Sequence, residues 1–172
     1  MQAIARRHGR PEEARQSRAL YTSVERQRRN ATAWTIVQGV LAPVQFAIFA
    51  VSLVLVVRYL LTGHGELAAT ISIIAKTLAL YAIMITGSIW EKAVFGRWLF
   101  APAFWWEDLV SMLVLALHSA YLVALAADIG TPGQRMTLAL AAYASYLINA
   151  GQFLLKLRAA RLGAPVPTAA TA

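Results

Sequence analysis

The chain has 172 residues, of which 59% are hydrophobic and only 14% charged, with a formal net charge of +8 and no cysteine. A soluble domain carries about a quarter charged residues, and here the apolar residues run together in four long stretches, which excludes a water-soluble globular fold. The missing cysteines exclude disulfides, thiolate nucleophiles, iron–sulfur clusters and Cys-ligated zinc.

Residues 1–20 form a basic arm with Arg6, Arg7, Arg10, Arg15 and Arg18, and they lack the apolar segment of a cleaved signal peptide. The arm is expected to be mobile or to lie on anionic lipid. Thr22-Ser23-Val24-Glu25 fits a capping box and predicts a helix that starts there and runs into the first span. The spans are read as Trp34–Leu61, Ala68–Trp90, Leu109–Ala127 and Met136–Leu157, each long enough for about 30 Å of hydrocarbon. The expected fold is therefore all-α: a transmembrane domain of four helices over 21–162, with a disordered tail over 163–172 (GAPVPTAATA). No repeat or inverted half is visible, which weakens a transporter reading.

The connections Thr62–Leu67 and Asp128–Arg135 are short and rich in glycine, and they make neighbouring spans antiparallel. The connection between spans two and three, Glu91 to Asp108, holds three Trp and three Phe between acidic ends. Such a segment belongs in the interface or folded back over the bundle. Basic residues sort by side. Thirteen of the sixteen lie in the N-terminal segment before the first span, in this connection or near the C-terminus, against Arg58 and Arg135 opposite and Lys76 within a span. The positive-inside rule then puts both termini in the cytoplasm.

Polar residues inside the spans fall on helical faces. Gln38, Gln45 and Ser52 recur every seven residues beside Pro43, which is expected to kink the first span. Ser72 and Lys76 share a face in span two, Glu107, Ser111 and His118 in span three, and Ser145, Asn149, Gln152 and Lys156 in span four. Each stripe alone could be interhelical hydrogen bonding, at about 0.6 kcal/mol per contact. Four inward stripes together imply a polar seam or pocket.

The ionisable residues sharpen this. His118 lies about 16 Å along its helix from Glu107. It is either a neutral histidine bonded to a neighbouring helix or an axial ligand to a metal carried by a ligand. Lys76 is too deep for easy snorkelling, so it is neutral or meets an acid from elsewhere, for which a ligand carboxylate is a candidate. Glu107 and Asp108 either complement the helix dipole or, with Glu91, perform acid–base chemistry, because close carboxyls in a poorly hydrated site keep a proton on one of them.

The runs SIWEKAVFGRWLFAPAFWWEDLVSM (88–112), YTSVERQRRNATAWTIVQGVLAPVQF (21–46) and YLINAGQFLLKLRAARL (146–162) resemble the bacteriochlorophyllide C3-vinyl hydratase family over about 21–162. The resemblance implies a membrane hydro-lyase of photosynthetic bacteria that needs no cofactor, since the magnesium comes with the substrate. Such an enzyme adds water to the 3-vinyl group of a chlorophyllide or bacteriochlorophyllide, giving a 3-(1-hydroxyethyl) group on the way to bacteriochlorophyll a. It also implies the bacterial inner, intracytoplasmic membrane as the location, with pigment, water, the bilayer and other pigment-biosynthesis enzymes as partners and no nucleic acid.

The residues fit that chemistry. Adding water to an alkene needs a proton donor and a base, and a flat macrocycle needs an apolar cleft with a few polar anchors. The reading assigns Glu107 as proton donor, with Glu91 or Asp108 positioning and deprotonating water. His118, Lys76, Gln45, Asn149, Gln152, Trp90 and Trp106 are the expected substrate contacts, and His118 is a candidate for the substrate magnesium. A non-catalytic pigment-binding or assembly protein is the alternative, but it has no use for the carboxyl cluster. The topology is checked with reporter fusions: Gly65 and Gly133 should report the outer side and Gly96 the cytoplasm, whereas a C-terminus on the outer side overturns the four-span reading.

Overall fold

The computed structural model describes residues 20–162; the basic arm at 1–19, the tail at 163–172 and the side chains of 159–162 lie outside the described residues. Within them run five helices: α1 (Ser23–Ala31), α2 (Trp34–Thr62), α3 (Glu66–Phe95), α4 (Trp105–Ala126) and α5 (Pro132–Leu162). The four after α1 are long and apolar enough to cross a membrane, and the chain is a multi-pass membrane protein.

The capping box forms as expected. Thr22 N–H donates to Glu25 Oε2 at 2.8 Å, and Glu25 N–H donates to Thr22 Oγ1 at 3.3 Å. The helix it starts does not run into the first span, contrary to expectation. Thr32 adopts an extended conformation and its hydroxyl accepts the Trp34 N–H at 3.4 Å, so a side chain replaces the helical carbonyl and the chain turns. Pro43 lies inside α2, which is assigned helical from end to end. The connections are shorter than the hydropathy suggests. Only 63–65 separates α2 from α3, and Glu91, Lys92, Glu107 and Asp108 sit within helices, not in the loop. Gly63, Gly65 and Gly96 take φ of +71°, +90° and +78°, values that side chains resist, and they end or start helices there.

Packing is closest between α2 and α3 and between α4 and α5, so the bundle is two antiparallel hairpins laid together. In lipid no hydrophobic force drives helices together, and packing and hydrogen bonds must do so. Accordingly large apolar side chains such as Ile36, Leu61 and Leu67 point outward, while all four polar stripes turn inward. A cluster around Phe49, Val56, Ile73, Val114 and Tyr121 fills the middle. Tyr21, Trp90, Phe95, Phe104 and Phe153 form an aromatic plug at the end where α3 meets α4, called here the basic end.

One buried relay ties the hairpins. Ser72 donates to Ala69 O at 2.7 Å, so Ser52 must donate to Ser72 (2.7 Å) and Tyr143 to Ser52 (2.5 Å). Ser52→Ala leaves the buried Tyr143 hydroxyl without an acceptor and should cost about 1 to 2 kcal/mol. Tyr143→Phe removes the donor itself and should cost under about 1 kcal/mol. Unfolding in bicelles should reproduce that order.

Candidate functional site

Three carboxyls converge at the basic end. Glu91 lies in the penultimate turn of α3, and Glu107 and Asp108 lie in the first turn of α4; all three are buried. The connection between these helices explains how they are held. Gly96 closes α3, and Phe100 takes φ of +58°, a left-handed conformation that costs a side-chain-bearing residue about 1–2 kcal/mol. That turn aims two successive backbone N–H groups inward. Phe100 N–H donates to Asp108 Oδ2 at 2.7 Å, and Ala101 N–H donates to Glu91 Oε2 at 3.2 Å. Consecutive N–H groups converging in this way form an anion-binding concavity.

The Glu91 and Asp108 carboxyls are thereby held side by side in a buried site. Two carboxylates so placed repel each other, which favours a proton on one of them. Glu107 has a different partner. Lys156 donates to its Oε2 at 2.5 Å and also to Ala103 O. Glu107 is thus an ion-paired carboxylate, while Glu91 and Asp108 form a carboxyl pair held by backbone N–H groups. Trp90 stands beside them, its indole N–H donating to Thr35 Oγ1 at 3.0 Å and its ring edge-on to Phe95 and Phe104. Trp106 points outward, two-thirds exposed, and touches Trp105.

Deeper in the seam lies a layer of amides. Asn149 donates to Ser111 Oγ at 2.8 Å, and Ser111 donates to Glu107 O at 2.8 Å. Gln45 Nε2, Asn149 Oδ1 and Gln152 Oε1 are buried with no hydrogen-bond partner among the described residues.

Lys76 and His118 form a third layer. Both are fully buried, and their aromatic neighbours, Tyr146 and Tyr143, lie about one turn apart on α5. Lys76 Nζ sits 3.6 Å from the centre of the Tyr146 ring, and no described residue accepts a hydrogen bond from it. His118 Nδ1 lies 2.8 Å from Val114 O, which can only accept, so Nδ1 carries the proton and Nε2 presents a bare lone pair to the interior. Ten residues separate Asp108 from His118, about 15 Å of helix. The surface hollows along α2, at Ala33–Leu41 and at Leu53–Thr62, reach neither layer.

The residues named from the sequence thus fall into groups. Glu91, Asp108, Glu107 and Trp90 come together; Gln45, Asn149 and Gln152 lie at one intermediate depth; Lys76 and His118 pair further in; Trp106 stands apart. The Phe100 and Ala101 N–H groups and the Lys156 partnership were not anticipated. The available signal was a Gly- and Pro-broken aromatic loop with acids at both ends. Among the described residues no three His, Asp or Glu side chains gather as a metal site would.

Comparison with known proteins bears on this arrangement. The family model described as 2-vinyl bacteriochlorophyllide hydratase matches residues 21–159. A protein of Rhodobacter capsulatus with that name is 64% identical over 155 residues, covering 90% of each chain. Its namesake in Cereibacter sphaeroides is 64% identical over 146 residues, covering 84% of this chain and 90% of the relative. No solved structure matches.

Proposed function

The chain belongs to the 2-vinyl bacteriochlorophyllide hydratase family, and we propose that it performs its hydration with the proton shared by Glu91 and Asp108. It is a hydro-lyase of bacteriochlorophyll biosynthesis that adds water to the vinyl group of bacteriochlorophyllide. The relatives' names call the vinyl-bearing position 2 and the resemblance drawn from the sequence calls it 3, a difference of ring numbering.

The chemistry needs one proton delivered and one removed. The protonated member of the pair gives its proton to the outer vinyl carbon, leaving cationic character on the carbon next to the ring. The macrocycle delocalises that charge, and the carboxylate just formed stabilises it. Water then bonds to the inner carbon and returns a proton to the pair, which ends as it began. The placing of two buried carboxyls on successive backbone N–H groups carries this assignment. It moves the donor from Glu107, whose oxygen is already engaged by Lys156, to Glu91 and Asp108.

The substrate fits along the seam between the hairpins, vinyl group at the pair and carboxylate-bearing edge toward Lys76. There the buried Lys76 amine lacks an acceptor and His118 turns its Nε2 inward without a partner among the described residues. The 15 Å between His118 and Asp108 exceeds the reach from a chlorin's magnesium to its own vinyl group. An axial contact of His118 with magnesium therefore belongs to a different pose, with the macrocycle lying deeper. Gln45, Asn149 and Gln152 line the intermediate stretch, and Trp90 and Trp106 flank the basic end. No cofactor enters the scheme. Both termini are placed in the cytoplasm, and the intracytoplasmic photosynthetic membrane, shared with other pigment-biosynthesis enzymes, is the setting.

Glu91→Gln and Asp108→Asn should each lower kcat by about 10²- to 10⁴-fold while pigment binding persists. Glu107→Gln should lose less turnover and more thermal stability. Folded Glu91 and Asp108 variants with near-normal turnover would remove the pair from the mechanism. Lys76→Met should raise KM for a pigment with a free carboxylate and leave kcat largely intact. If esterifying that carboxylate leaves wild-type KM unchanged, Lys76 does not meet it.

A further inference from the structure

We infer that Gln45, Asn149 and Gln152 form the binding site of the water molecule that is added to the vinyl group. The inference rests on the hydratase reading and names where its second substrate waits. Ser111 spends its only hydrogen on Glu107 O, so its oxygen must accept from Asn149. This fixes the Asn149 amide: nitrogen toward Ser111, Oδ1 turned away, buried and without a partner among the described residues. Gln152 lies three residues on, on the same inward stripe of α5, and its Oε1 is also buried and unpartnered.

Gln45 faces them from α2. The Phe49 ring lies 4.9 Å from the Tyr146 ring, and one turn toward the basic end on these antiparallel helices brings Gln45 level with Asn149 and Gln152. Its Nε2 is a buried donor with no acceptor among the described residues.

Two acceptors and one donor are the complement of a single water, which donates twice and accepts once. Buried waters commonly make about three such bonds to otherwise unsatisfied groups. The pigment cannot take this place. Its peripheral carbonyl and carboxylate oxygens only accept, whereas Asn149 Oδ1 and Gln152 Oε1 need hydrogens. Because water both donates and accepts, it also serves either orientation of the two glutamine amides.

The location suits the reaction. Gln152 is one turn, roughly 6 Å, from Lys156, which holds Glu107, the neighbour of Asp108. From there the water oxygen bonds to the inner vinyl carbon once the outer carbon has received the proton of the pair, and the displaced water proton returns to the pair.

Two experiments on the full-length enzyme in membranes test this. Gln152→Met and Asn149→Leu remove the acceptors at nearly constant volume. Each should reduce kcat by about 10²-fold, the scale of a misplaced reactant, with pigment Kd raised by no more than a few-fold. Turnover equal to wild type, or a loss of pigment affinity that parallels the loss of kcat, overturns the assignment. Gln152→Ala instead makes room for methanol. In water–methanol mixtures it should yield the 1-methoxyethyl pigment, identified by mass, where wild type yields only the 1-hydroxyethyl product. A Gln152→Ala protein that binds pigment but forms no methyl ether places the nucleophile elsewhere. If wild type itself forms no hydrated product, the hydratase reading fails, not the water site.

Discussion

A carboxyl group taken out of water must find donors, and at the basic end of this bundle two successive backbone N–H groups supply them. Phe100 N–H holds Asp108 and Ala101 N–H holds Glu91, and the left-handed turn at Phe100 makes both available at once. Other features of that end follow from this constraint. Gly96 ends α3 so that the chain can turn, the aromatic plug of Trp90, Phe95 and Phe104 shields the turn from water, and α4 starts immediately afterwards so that Asp108 can reach back. The strain at Phe100 is located where it positions chemistry, a pattern common at functional sites.

Along the seam, the degree of polar satisfaction changes with depth. At the basic end every carboxyl has a partner. In the middle, one amide nitrogen is bonded while three amide atoms are left over. Further in, the Lys76 amine and the His118 Nε2 have no partner among the described residues. A bilayer has no water to satisfy such groups. The fold places them inside, between hairpins joined in part by a relay of hydroxyls. The proposed pose gives these groups the polar edge and carboxylate of a flat pigment as partners.

The division of labour among the acids follows from partners, not from residue type. Glu107 and Asp108 are neighbours in sequence and both are buried, yet one faces α5 and a lysine while the other faces α3 and a second carboxyl. An ion-paired carboxylate has no proton to give, whereas two neighbouring buried carboxyls favour a proton on one of them. This contrast separates a group that fastens α4 to α5 from the pair to which the proposed mechanism gives the proton.

The sequence by itself determined the four spans, the inward direction of their polar stripes, the capping box at Thr22, the family and the end of the bundle that carries the acids. These depend on composition, helical periodicity and local hydrogen bonding, which act over a few turns of chain. It did not determine that α1 stops before the first span, because Thr32 could serve either as one more helical residue or as a cap. Nor did it distinguish Glu107 from Asp108 as acid, since helical spacing puts them about 100° apart and does not say which neighbour lies in each direction. The tertiary structure gives the two different partners: the return of α5 brings Lys156 to Glu107, and the turn at Phe100 holds Asp108 beside Glu91. Partnership between groups distant in sequence is a property of the packed hairpins, not of helical spacing.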